Sequence, residues 1–389
     1  MADRKKKTRR RSQNGFFDAL NGLLTLVLLA LLGVGGLFVY GVTVFNADGP
    51  VAEDRSFVVE PGNVLSTVSR RLEEQGFISN ADVFNYGSRL LRRGDNLRAG
   101  EFNIAANSSM FDIIRELSEG TPIQHQVVVP EGFTSWQVVE RVNADADLTG
   151  NIEILPAEGS LLPGAYSYQR GDTRQSIIDT MTTAMDAALE EIWDARDPEL
   201  PLETPAQLVT LASIVERETG LAEERPRVAG VFVNRLNVGM RLQSDPTIIY
   251  GITLGQGSLG RGLRRSEIEQ VTPYNTYQID GLPPGPIANP GIDSLRAVAN
   301  PEGHEYYYFV AAGAVPTDGH VFAENYSDHQ ANVAAYRQIE RAAAEAAAEA
   351  EAQAAMDEIA AEEAAEAGDE TAENEPAPDA DGEAPAEEQ

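Results

Sequence analysis

The chain has 389 residues, a formal net charge of −31, four histidines and no cysteine. That length holds two modest domains with extensions, and the acidity argues against nucleic acid as a partner, because phosphate binding calls for a basic face. Without cysteine there are no disulfides, thiolate nucleophiles or zinc–thiolate sites. His125, His304, His320 and His329 form no H-x-x-x-H or H-E-x-x-H pattern, so neither a metal nor a cofactor is expected. The charge is unevenly placed: the first eleven residues, MADRKKKTRRR, are basic, and from Ala342 onward the chain is mostly Ala, Glu, Asp and Pro with no basic residue.

The pattern predicts an α+β protein with a basic cytoplasmic segment (1–22), a transmembrane helix (23–45), a linker (46–55), a small subdomain (56–130), a mixed α+β domain (131–336) and an acidic Ala/Glu-rich helix with a disordered tail (337–389). Leu23–Phe45 is an uncharged apolar run long enough to span hydrocarbon. The lysines and arginines before it should stay cytoplasmic, which places the rest of the chain across the membrane. A cleaved signal peptide is the alternative, but the run exceeds the usual apolar region and Phe45-Asn46-Ala47 is a poor cleavage site.

After the linker, Ser56–Glu60 reads as a strand. Val64–Gln75 and Asn80–Leu91 read as helices, the second capped by Asn80 or Ser79. Arg98–Ile104 is a returning strand, Ser109–Ser118 a helix and Gln126–Pro130 a strand. The β-α-α-β order resembles LysM modules, which bind N-acetylated glycans; a packing module that spaces the next domain from the membrane fits the same order. Thr134–Val142 is expected to be a short helix, Asn143–Ile154 loop-rich, and Thr173–Trp193 helical with Ile177, Ile178, Met181 and Met185 on one side.

Thr204–Gly220 is the best-marked helix. Thr204 suits the N-cap, Pro205 the first helical position and Gln207 the reciprocal capping-box position, while Gly220 supplies a stop. Winding at about 100° per residue gathers Leu208, Leu211, Ala212, Ile214 and Val215 on one stripe, with Glu218 roughly 50° from its centre. Glu216 falls about 110° out on the other side, so the two carboxylates cannot act as a close pair. A carboxylate aimed among apolar neighbours costs desolvation energy, which makes Glu218 the candidate for chemistry. The competing reading is a structural carboxylate paired with an arginine such as Arg225.

Arg227–Asn237 reads as another apolar helix. In Val238–Gly251, Pro246 and Gly251 rule out a continuous regular element; Ile252–Arg265 reads as a glycine-rich surface loop, and Thr272–Gly291 as an irregular polar-aromatic stretch. Ser294–Ala299 is expected to be helical, Tyr306–Ala311 a buried strand with His320–Phe322 beside it, and the chain from His329 to Ala367 a solvated helix followed by disorder.

ASIVERETG (Ala212–Gly220), VAGVFVNRLNVGMRLQSDPTIIYG (Val228–Gly251), PYNTYQIDGLPPGPIANPG (Pro273–Gly291) and YYYFVA with GHVF (Gly319–Phe322) together resemble the MltG/YceG-like endolytic murein transglycosylases. The resemblance runs from the apolar segment to about Tyr336. It implies a single-pass protein of the bacterial inner membrane with a periplasmic catalytic part, cutting the β-1,4 bond between N-acetylmuramic acid and N-acetylglucosamine inside peptidoglycan strands without water. The expected products carry 1,6-anhydro-muramyl ends, and the work is the termination or trimming of nascent strands.

In the family the catalytic residue is the second glutamate of E-x-E-T, which falls on Glu218. Gln243, Ser244, Asp245, Tyr274, Asn275 and Tyr277 are the candidates for substrate contact, since amide, hydroxyl and aromatic groups on irregular backbone suit a sugar groove. Asp245 before Pro246 suits a turn equally well, and Asn275 a turn cap. Peptidoglycan synthases are implied as partners, with no interface legible in the chain. The segment Glu158–Tyr166 lacks the aromatic and acidic side chains of many members, which leaves its substrate role open. A non-catalytic glycan-binding anchor that recruits synthases, and an ordinary hydrolase, are the alternatives.

Overall fold

The structure, a computed structural model, describes residues 14–372; the basic head and the tail from residue 373, read above as cytoplasmic and disordered, lie outside it. The chain divides into two compact units. One comprises the residues through Pro130 with Val138–Pro156 and Gly164–Thr182, and the other Glu131–Gln137, Ala157–Pro163 and the chain from Thr183.

The first unit opens with helix α1 (Asn14–Asn46), followed by β1 (Arg55–Val59), α2 (Leu65–Glu74), α3 (Ala81–Leu90), β2 (Gly100–Ile104), α4 (Met110–Glu119) and β3 (His125–Val129). Within α1 the 28 residues Ala19–Asn46 are long and apolar enough to cross a membrane, with mean hydropathy 2.5, and their leucines and valines face outward. A signal sequence would pass the same test of length and composition. The last turn of α1 behaves differently. Phe45 is buried against Phe84, with ring centroids 6.5 Å apart, and Gly87 lies so close beneath Phe45 that any Cβ would collide with the ring.

Side-chain caps mark the starts of α3 and α4. Asn80 accepts the Val83 N–H at 2.9 Å, and Ser109 and Asp112 form a reciprocal capping box. β1 and β2 pair antiparallel, with Phe57 opposite Phe102, and cover a core that includes Phe57, Phe77, Phe84 and Phe102. The β-α-α-β order expected from the sequence is present. β3, however, pairs with a strand not anticipated, β4 (Gly164–Tyr168), which sets Val127 opposite Tyr166. Between β3 and β4 lies α5 (Ser135–Asn143).

The second unit takes the C-terminal part of α6 (Arg174–Asp194), then α7 (Pro205–Glu218), a 3-10 turn (Ala222–Glu224), α8 (Arg225–Asn237), α9 (Asp245–Thr253), α10 (Arg265–Glu269), α11 (Ile292–Ala299), β5 (Tyr308–Ala311), a 3-10 turn (Pro316–Asp318), β6 (His320–Ala323) and α12 (Tyr326–Ala372). Its core is built around α7, which packs against α8 and α11. Every residue from Leu208 to Val215 is buried, so α7 is enclosed on all sides rather than along one stripe. α9 corrects the sequence reading: Pro246 sits in its first turn, where no backbone N–H is missed, and Gly251 lies inside it with Tyr274 Cβ pressed close. β5 and β6 pair as expected, although β5 is half-buried rather than buried. Beyond its first turns α12 exposes the described side chains, in keeping with a solvated helix.

Candidate active site

The entrance of α7 is built as its sequence requires, with Thr204 and Gln207 in a reciprocal capping box and Pro205 in the first turn. Its exit differs from expectation. Thr219, in extended conformation (φ −134°, ψ 133°), ends the helix, and Gly220 lies beyond it. Glu218 is therefore the last helical residue, at the end where free carbonyls already carry partial negative charge.

The two glutamates of this turn have separate fates. Glu216 accepts from Arg225 Nη2 at 3.1 Å and from the Gly291 N–H at 3.0 Å, and Arg225 also holds Glu131 at 2.9 Å. Arg225 thus belongs to Glu216 and Glu131, and the alternative that paired it with Glu218 is overturned. Glu216 is also more enclosed than helical winding implies, its side chain only 5% exposed.

Glu218 has no ion pair among the described residues. It takes a short hydrogen bond from the Ser244 hydroxyl instead. Burial pushes its carboxyl up to about 7. Against this act the Ser244 hydrogen bond and the electrostatic influence of His320 and Arg235, while the Asp245 carboxylate adds to the rise.

Ser244 is pinned from behind. Its N–H donates to Thr276 Oγ1 at 3.0 Å, its carbonyl accepts from Thr247 Oγ1 at 2.6 Å, and the two threonine hydroxyls meet at 2.9 Å, both residues fully buried. Asp245 begins α9 and accepts the Tyr277 hydroxyl at 2.7 Å. Burial and Asp245 raise the Tyr277 hydroxyl's hold on its proton. Gln243 is exposed, with φ 51°, and its N–H donates to the Thr276 carbonyl at 3.1 Å; this left-handed residue turns the chain into Ser244. Glu218, Ser244, Asp245 and Tyr277 therefore come together.

Asn275 and Tyr274 do not join them. Asn275 is fully buried; its Nδ2 donates to the carbonyls of Glu267, Ile268 and Gln270, and its Oδ1 accepts the Tyr277 N–H. No amide atom is left for a sugar, so Asn275 is a scaffold residue rather than a substrate contact. Tyr274 packs against Tyr250, with centroids 4.9 Å apart and ring planes tilted by 57°, in the electrostatic field of Glu158.

Sequence reasoning missed several polar residues. Arg235, buried on α8, donates to the carbonyls of Tyr307 (2.7 Å) and Leu242 (2.5 Å) and faces Glu218 electrostatically; a lone arginine inside VFVNRLN was its available signal. Glu158 accepts the Ser135 N–H at 2.8 Å and Asn289 Nδ2 at 3.3 Å, and burial raises its carboxyl above the usual range. It braces the loops 131–137, 157–163 and 285–291. No group of histidine, aspartate and glutamate side chains suited to a metal occurs among the described residues.

The profile of the YceG-like family matches residues 57–335. A Streptococcus pneumoniae serotype 2 protein named endolytic murein transglycosylase is 30% identical over 361 residues, covering 79% of this chain. The chain in turn spans 64% of that relative's length. A Bacillus subtilis protein of the same name is 27% identical over 314 residues, covering 72% of this chain and 84% of its own. A crystal structure of a yceG-like protein from Listeria monocytogenes is 27% identical, with a TM-score of 0.44, across 72% of this chain and 99% of that one. With the family profile running from the first strand to the start of the last helix, the chain belongs to the YceG-like family.

Proposed function

We propose that the protein is an endolytic lytic transglycosylase, held to the bacterial inner membrane by α1, that cuts the β-1,4 bond between N-acetylmuramic acid and N-acetylglucosamine within peptidoglycan strands and leaves 1,6-anhydro-muramyl ends. The observation that carries this reading is the state of Glu218: a carboxyl with no ion pair among the described residues, hydrogen-bonded by Ser244 and raised to about 7 by burial. A group of that kind is protonated often enough near neutrality to act as an acid and is still able to ionise.

Protonated Glu218 donates its proton to the glycosidic oxygen as the bond to the muramyl anomeric carbon breaks. The resulting carboxylate takes the proton from the muramyl 6-hydroxyl as that oxygen bonds to the same carbon. Protons balance, and no water is consumed. An intramolecular hydroxyl replaces the water that a hydrolase must activate with a second carboxylate about 5–10 Å away, and brings a high effective molarity of its own. Ser244 orients the Glu218 carboxyl. Asp245, fixed by Tyr277, supplies negative charge suited to oxocarbenium character at the anomeric carbon. Gln243 offers an exposed amide, and Tyr274 an aromatic face, for sugar contact.

The β-α-α-β part of the first unit, between β1 and β2, is read as LysM-like, serving either to bind glycan or to space the catalytic part from the membrane. Termination of nascent strands beside peptidoglycan synthases is the cellular role that fits a membrane-held endolytic enzyme. The test is Glu218→Gln. Loss of anhydro-muramyl products with glycan binding retained supports catalysis; a wild-type protein that binds strands and releases no products is instead a glycan-binding anchor.

A further inference from the structure

We propose that Glu224 and His320 form a second functional pair in the Glu218 site, a positioning device in which Glu224 holds the imidazole as a fixed neighbour of the Glu218 carboxyl. The proposal rests on the reading of Glu218 as the proton-transferring group, although the geometry of the pair stands by itself.

Glu224 closes the 3-10 turn after α7, and its carboxylate gathers three donors. Oε2 meets His320 Nδ1 at 2.8 Å, Oε1 accepts the His320 backbone N–H at 2.8 Å, and Oε2 accepts the Thr219 hydroxyl at 3.4 Å. Thr219 directly follows Glu218, so one carboxylate ties the start of β6 to the residue that carries Glu218 out of α7. The side chains of His320 and Glu224 are only 16% and 12% exposed. Gly319, at φ 73°, precedes the histidine, and a Cβ there would collide with Glu224 Oε1. Phe309 meets the imidazole edge-on, with centroids 5.3 Å apart, and Phe322 flanks it at 6.4 Å.

A ring fixed this firmly by its Nδ1 leaves Nε2 with no hydrogen-bond partner among the described residues, and that atom is not sealed in the interior. A carboxylate on Nδ1 sets both tautomer and ring orientation, so the other nitrogen is presented in a defined direction. The charged groups facing Glu218 are His320 from β6 and Arg235 from α8, which favour its ionised form, and Asp245 from α9, which opposes it. Facing His320 are Glu224 and, more distantly, Glu218; β5 and β6 add aromatic rings. A general acid that holds its proton too tightly releases it poorly to a leaving oxygen. The imidazole beside Glu218, when protonated, restrains the rise that burial would otherwise impose.

The test uses the full chain in detergent. His320→Asn keeps an amide donor near the Nδ1 position for Glu224 while removing the imidazole; His320→Gln serves in its place should the first variant not fold. The Glu218 titration is followed directly, by infrared difference between each protein and its Glu218→Gln counterpart, and turnover on glycan strands is measured across pH. The expected result is a Glu218 midpoint higher by about half a pH unit or more. The alkaline limb of kcat should move up with it by the same interval, while KM stays within about twofold. A folded variant in which neither the midpoint nor the alkaline limb moves overturns the proposal. Turnover that persists in Glu218→Gln alone contradicts the reading of Glu218, and the infrared midpoint then still decides whether His320 acts on it.

Discussion

Glu216 and Glu218 are two residues apart on one helix, yet their surroundings assign them opposite physical roles. Glu216 is paired with Arg225 and a backbone N–H, so Glu216→Gln should lower unfolding stability by about 1–3 kcal/mol, measured by urea titration. Arg225→Met should cost more, about 3–5 kcal/mol, because it leaves Glu216 buried without its cation. Glu218 should behave in reverse. Its carboxyl binds a proton more tightly folded (about 7) than at its ordinary value of 4.5. Between those two pH values the native state carries more bound proton than the unfolded state, so its contribution is fully present below 4.5 and is lost as pH rises towards 7. The loss is on the order of 2–3 kcal/mol. Glu218→Gln should abolish that slope, which melting curves recorded from pH 4 to 8 would show as a higher midpoint than wild type at the alkaline end.

At the scale of elements, α7 owes its start to three residues readable in the sequence, and Thr204→Ala should cost about 1 kcal/mol of stability through loss of the cap. In the first unit α3 and α4 were legible for the same reason: Asn80 and Ser109 cap runs of clear helical spacing. What escaped follows from context. Pro246 breaks a helix interior but suits a first turn, and only the placement of Ser244 shows which applies. β4 is only five residues long and opens on a glycine, and its partner β3 lies far back in the chain. The candidate site was legible where resemblance or winding marked a residue, as with Glu218. Arg235, His320 and Glu158 were not, because what gives them a role is a neighbour from a distant element.

For the whole molecule, the two ends of the chain make separate claims. α1 carries an outward apolar surface over most of its length but ends in Phe45, which belongs to the folded core. A chain beginning at Val44 should therefore stay folded and move from the membrane fraction to the soluble fraction, as ultracentrifugation would show. At the other end, α12 exposes its described side chains once past the aromatic contacts of Tyr326 and His329 with Tyr308, so a chain ending at Arg341 should keep turnover within about twofold.

The proposed reaction turns on one proton, carried from Glu218 to a glycosidic oxygen and recovered from the sugar's own hydroxyl. Mass spectrometry of the ends released from purified glycan strands, digested in water labelled with heavy oxygen, reads that step directly. The expected products are 1,6-anhydro-muramyl ends without the label, formed by wild type and absent with Glu218→Gln. Reducing muramyl ends that carry the label, or anhydro ends formed equally by Glu218→Gln, would contradict it.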